Sequence, residues 1–185
     1  MKTYEKCLVC FERQASDACA MAGLSDADRR QVMTRVRSRI QSFSHDHSPV
    51  EMARDIHALV RQAAGVHDPY KSIKEESNAA CRKCLPLLEE LVGGAVNPFE
   101  TSLNLAIIGN MIDFGAYAAS NVNLAGIANA IESSLDIPLT GDESGKFCDA
   151  VAGAERILYI GDNAGECFFD RFLLRQLPSE KLTYV

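Results

Sequence analysis

Apolar residues recur at helical spacing along most of this chain. Val32, Val36, Ile40 and Phe43, separated by four, four and three positions, form one stripe of a helix that starts near Ser25 or Asp26; Arg29, Arg30, Arg35, Arg37 and Arg39 occupy its other faces. An earlier helix covers about residues 2 to 22 and stops at Gly23, a residue suited to the left-handed conformation just past a helix end. Ser48-Pro49-Val50-Glu51 is a start signal in which Ser48 caps, Pro49 fits the first helical position and Glu51 completes a capping box; Gly65 closes that helix. Asp68-Pro69 repeats the signal, and a long helical pattern runs to Gly93-Gly94 with Pro86 as a kink or break. Asn97-Pro98, with Glu100 in the first turn, opens a helix reaching about Gly115. Asn123 begins another over about 124 to 134, and a short helix fits Glu143 to Ala152 after a loop at 136–142.

The pattern changes at Arg156. Ile157-Leu158-Tyr159-Ile160-Gly161 is a short β-rich run of the kind buried on both faces of a parallel sheet. A polar loop, an amphipathic stretch to Leu177 and, after Pro178, a second β-rich run at Leu182-Thr183-Tyr184-Val185 follow. Strand, loop, helix, strand is a βαβ unit. The chain therefore divides into a helical domain over 1–153 and a first βαβ unit over 154–185. A parallel sheet needs more than two strands to bury itself, so the expectation is the front part of a longer α/β protein; a small independent domain is the alternative.

The 185 residues, 47% hydrophobic and 24% charged, suffice for a sizeable core, so the seven cysteines need not be staples. Their odd number fits reduced thiols in a cytoplasmic protein. A net charge of -6, with no run of five like charges, argues against a nucleic-acid or anionic-membrane surface. The N-terminus offers no apolar core of a secretory signal, and no apolar run approaches the ~18 residues of a membrane span.

Candidate chemistry concentrates at Gly161-Asp162-Asn163-Ala164-Gly165-Glu166. Ligands of parallel sheets bind beyond the carboxyl ends of the strands, where the next helix aims free N–H groups and its positive dipole end. Asp162 and Asn163 put two hard oxygens side by side at the strand tip, suited to Mg²⁺ or Mn²⁺. Gly165 lets a phosphate approach the backbone, and Glu166 either orients a metal-bound water or substrate hydroxyl or caps the helix. Asn110 and Asp113 share one face of an otherwise apolar helix, as do Lys74 and Asn78 one turn apart; each pair either lines a cleft or is satisfied locally. Cys7/Cys10 and Cys81/Cys84 are Cys-x-x-Cys pairs on helices: small core residues, a four-thiolate structural zinc site, or redox thiols. Cys19, Cys148 and Cys167 read as buried filler, and His45, His47, His57 and His67 as solvated.

Asp162-Asn163-Ala164-Gly165-Glu166 after an apolar strand, Gly109-Asn110-x-x-Asp113 before it, Asp68-Pro69-Tyr70 with Lys74 and Asn78, and the N-terminal Cys-x-x-Cys together resemble the damage-control metal-dependent phosphatases, formerly domain of unknown function 89, in their prokaryotic Cys-x-x-Cys branch. The resemblance covers essentially all 185 residues. It implies a mainly α N-terminal part followed by the start of a Rossmann-like α/β/α domain, and hydrolysis of phosphate monoesters of small metabolites with a divalent cation, Mn²⁺, Co²⁺, Ni²⁺ or Mg²⁺. By that resemblance Asp162 and Asn163 are metal ligands, Asp162 and Glu166 the catalytic acids, and Asn110, Asp113, Lys74, Asn78 and Gly165 line the substrate site. The family's further strand, Arg-Gly stretch and additional metal-binding Asp have no counterpart here, so the 185-residue chain alone is expected to be inactive or nearly so. An S-adenosylmethionine-dependent methyltransferase is the competing enzyme, since Gly161-Asp162 and Gly165 echo its first loop without the close Gly-x-Gly; a helical interaction module is the non-catalytic alternative. The open edge at Leu182–Val185 predicts a homodimer or larger aggregate.

Overall fold

The computed structural model describes residues 2–111, 124–135 and 143–185, and within them the chain forms two compact units, Met1–Ser72 and Ile73–Val185. The first is a bundle of three helices, α1 (Glu5–Met21), α2 (Asp26–Gln41) and α3 (Pro49–Ala64), each packed on the other two. The predicted stripe is its core: Val32, Val36, Ile40 and Phe43 are buried, facing Phe11, Ala15 and Cys19 of α1 and Met52, Ile56 and Val60 of α3. The helix ends follow the signals in the sequence. Ser25 accepts the Asp28 N–H, Ser48 and Glu51 form the capping box, and Gly23 and Gly65 take left-handed φ values of 68° and 64°. The arginine face of α2 ties the bundle from outside: Arg29 donates to Ser16, Arg37 to Glu12 at 2.9 Å, and Arg39 to Asp55 at 2.6 and 3.0 Å. His57 departs from the expected solvated state; it is half-buried edge-on to the Tyr70 ring at 5.6 Å, and burial lowers its pKa.

The second unit holds most of α4 (Lys71–Gly93), then α5 (Pro98–Met111), α6 (Leu124–Leu135), α7 (Ser144–Gly153), β1 (Ile157–Tyr159), α8 (Cys167–Leu174) and β2 (Leu182–Tyr184). The change of texture at 153/154 thus falls inside this unit. Asp68 accepts the Tyr70 N–H at 2.9 Å in a turn, which delays the start of α4 to Lys71. α4 also runs through Pro86 without a break. The proline removes one helical hydrogen bond, but the buried face of Ser77, Cys81, Cys84 and Leu88 continues on either side of it and anchors both halves. α5 is described as far as Met111, and the predicted helix end near Gly115, the start signal at Asn123 and the loop at 136–142 lie outside the described residues.

β1 and β2 pair in parallel, Ile157 opposite Leu182, Leu158 opposite Thr183 and Tyr159 opposite Tyr184. Two bonds extend the ladder: Val185 N–H to Tyr159 at 3.0 Å and Gly161 N–H to Val185 at 2.8 Å. The strand expected to be buried on both faces is not, for Leu158 is 62% and Ile160 71% exposed. Among the described residues the sheet has two strands, too few to cover both faces of either. α8 packs tightly on α5, and Phe169 of α8 joins Cys81, Cys84, Leu88, Leu105, Ile108 and Ile131 in the core. Gly109 makes that approach possible, since a Cβ there would lie 2.7 Å from Cβ of Phe169. Cys148 and Cys167, expected to be buried filler, are exposed, because α7 buries none of its residues and Cys167 stands in the first turn of α8; Cys19 is buried as expected.

Candidate functional site

The loop from β1 to α8 places its side chains by side-chain capture of the backbone. Glu166 is buried, and both its carboxylate oxygens are engaged: Oε1 accepts the Asp162 N–H in a short bond, and Oε2 accepts the Asn110 side-chain N–H at 3.0 Å. Its backbone carbonyl accepts the N–H groups of Phe169 and Asp170, starting α8. The carboxylate therefore binds backward to the loop and sideways to α5, not to its own helix as a cap. On the other side Asn78 of α4 accepts the Gly165 N–H at 2.9 Å. Gly165, at φ 95°, adopts a backbone conformation that side chains disfavour, which is a reason for glycine at this position. Held at both ends, the loop leaves Asp162 and Asn163 exposed at the strand tip, side by side, with the Asn163 amide donating to Asp162 Oδ2 at 3.2 Å.

The sequence-predicted residues thus separate by position. Asp162, Asn163, Gly165, Glu166, Asn110 and Asn78 come together at one end of β1. Lys74 is exposed, one helical turn before Asn78 on α4, and Asp113 lies outside the described residues. Cys7 and Cys10 sit half-buried on α1 of the first unit, whereas Cys81 and Cys84 belong to the core of the second. Burial pushes the Cys81 thiol up to about 12 and raises that of Cys84, which donates to the Ala80 carbonyl. Among the described residues no three His, Cys, Asp or Glu side chains gather closely enough to hold a metal ion. The donors at the loop fit a hard divalent cation in kind, a carboxylate and an amide oxygen open to solvent, and such a cation keeps several waters beside one or two protein ligands.

Behind the loop lies a group that sequence reading passed over. Asp170 is 2% exposed and accepts the Tyr159 hydroxyl at 2.8 Å and the Tyr184 hydroxyl at 3.5 Å, while the two tyrosine rings stack at 5.7 Å across the sheet. Burial pushes its carboxyl up to about 6, with the neighbouring Glu166 charge adding to the rise and the two hydroxyls opposing it. Tyr159 and Tyr184 are raised in turn, Tyr184 to about 12, chiefly by burial. A signal was present: Asp170, beside Arg171, is the one acid in the otherwise apolar stretch Cys167–Leu174, one turn from Glu166. Glu166, Asp170 and Asn110 are polar groups lining a groove of about 450 Å³ whose other walls are largely apolar, with Ile107, Met111, Leu158 and Ile160 exposed along it.

Comparison with known proteins places the chain in a family. The family model of the damage-control phosphatase ARMT1-like domain matches residues 3–184. A damage-control phosphatase of Archaeoglobus fulgidus is 31% identical over 147 residues, 78% of this chain and 50% of that protein. A damage-control phosphatase of Pyrococcus horikoshii is 28% identical over 178 residues, 96% of this chain and 60% of that protein. The crystal structure of a DUF89 family protein of Pyrococcus horikoshii superposes with a TM-score of 0.86 at 27% identity, covering all of this chain and 64% of that one. The chain spans about half to two thirds of the length of these relatives. With a family model that matches nearly from end to end, this chain belongs to the damage-control phosphatase ARMT1-like family.

Proposed function

We propose that the protein is a divalent-metal-dependent phosphatase acting on phosphate monoesters of small metabolites. The observation that carries the reading is the Asp162–Asn163 pair, exposed at the end of β1 on a loop that Glu166 and Asn78 hold at both ends. Asp162 and Asn163 are the residues assigned to the cation, which when bound would polarise a phosphoryl oxygen and orient the attacking group. Mn²⁺, Co²⁺, Ni²⁺ and Mg²⁺ all accept such oxygen donors, with Mg²⁺ and Mn²⁺ the better matched. Glu166, assigned with Asp162 to the catalysis, also fixes the Asp162 backbone through one carboxylate oxygen while the other accepts from Asn110. Asn110 braces that carboxylate from α5, and Asp113 and Lys74 are the remaining groups assigned to the substrate. With Asp162 and Asn163 the donors assigned to the cation among the described residues, turnover by this chain is expected to be low or absent.

Seven cysteines without a disulfide suit a reducing cytoplasm, and among the described residues no helix is long and apolar enough to cross a membrane. The exposed edge at Tyr184 and Val185 favours pairing with a second copy, which sedimentation would detect as a dimer. The function is tested by phosphate release from a panel of sugar and cofactor phosphates under each of the four metals, with this chain beside a form spanning the full length of the relatives. Metal-dependent release that Asp162→Ala reduces by at least about a hundredfold supports the proposal. Release that survives both chelation and Asp162→Ala would sink it.

A further inference from the structure

Two of the four amides in the loop 162–165 are already spoken for. The Asp162 N–H goes to Glu166 and the Gly165 N–H to Asn78, so the Gly165 amide faces α4 instead of a ligand. Asn78 is half-buried, and its contact joins residues 87 positions apart in sequence, at the point where Gly165 turns through φ 95° into α8. A side chain that only lined a substrate cleft would leave that amide free for an anion. Here the amide oxygen of Asn78 occupies it.

We infer that Asn78 is a positioning residue of the metal-binding loop: by holding the Gly165 amide it sets where Asp162 and Asn163 present their oxygens, and it acts on the cation through the backbone without touching substrate. This rests on the proposed function for the cation and on the Gly165 contact alone for the clamp. Glu166, just before α8, fixes the loop's first residue and Asn78 of α4 its last, so loss of Asn78 frees one end while the other stays tied.

The test uses the 185-residue chain, isotope-labelled, as wild type, Asn78→Ala and Asn78→Asp. Hydrogen exchange at the Gly165 amide reads the clamp, and paramagnetic broadening of the loop amides during Mn²⁺ titration reads cation affinity, even when weak. Asn78→Ala is expected to speed Gly165 exchange about two- to tenfold and to weaken Mn²⁺ binding by a similar factor, the worth of one net hydrogen bond. Asn78→Asp keeps an acceptor oxygen at the same place and is expected to restore slow exchange. Unchanged Gly165 exchange in Asn78→Ala overturns the clamp, and unchanged Mn²⁺ affinity despite faster exchange overturns its role in positioning the ligands. Absence of Mn²⁺ binding by wild type instead counts against the proposed function, while the exchange comparison still decides the clamp.

Discussion

Replacing Gly109 by alanine adds one methyl group where two helices meet most closely. The new Cβ would lie 2.7 Å from Cβ and 2.9 Å from Cγ of Phe169, a side chain that is fully buried and fixed close to the backbone of α8. No flexible tip can swing aside, so α5 and α8 must separate by several tenths of an ångström. Overpacking of this kind costs about 1–3 kcal/mol, offset by about 0.5–1 kcal/mol of helix propensity gained over glycine. The net loss is about 0–2.5 kcal/mol, a fall of up to about 10 °C in Tm for a chain of this size. Gly145, in α7, is the matched control: a Cβ added there has nothing within 4 Å, so Gly145→Ala gains the propensity and meets no clash. Paired thermal and urea unfolding of the two variants checks the argument. If Gly109→Ala proves as stable as Gly145→Ala, the close approach of α5 to α8 is not what makes position 109 a glycine. The same shift would carry Asn110 away from the Glu166 carboxylate it donates to at 3.0 Å, so weaker cation binding should accompany the loss of stability.

Asp170, raised on folding from 3.8 to about 6, favours the folded state in its protonated form; this contribution is complete below pH 4 and is lost as pH rises through 6. The stability of wild type minus that of Asp170→Asn should therefore fall by up to about 3 kcal/mol between pH 4 and 7, and a difference independent of pH in urea titrations would refute it. Ser48→Ala removes the cap of α3 and should cost about 1 kcal/mol in unfolding free energy, whereas Ser44→Ala, outside any helix, should cost much less.

Much of this architecture can be read from local signals. Ser48-Pro49-Val50-Glu51 makes its cap with residues three positions away, and the stripe Val32, Val36, Ile40, Phe43 needs only helical periodicity, so both follow from the chain without knowing the fold. Pro86 failed as a breaker because tertiary burial of Cys81, Cys84 and Leu88 outweighs one lost hydrogen bond, a balance no local window contains. The apolar β1 run predicted a strand correctly, yet its burial depends on neighbouring layers, and Leu158 and Ile160 have none on one side among the described residues. At the site, residue types pointed to the loop, but the division of labour within it did not show. That Glu166 and Asn78 face backbone amides, and that Asp170 draws two tyrosines, are contacts across 4, 87, 11 and 14 positions, set by how α4, α8 and the strands meet.

The uneven exposure of the thiols has a practical consequence. Cys148 and Cys167 stand in solvent, while Cys81 and Cys84 are sealed in the core and held protonated at neutral pH, so an alkylating reagent has to wait for the second unit to open before it meets them. Mass-resolved labelling of this pair is a clock built into the native sequence: its rate reports how often the α4–α5–α8 core breathes, and a ligand that tightens the loop between β1 and α8 should slow it without any engineered probe.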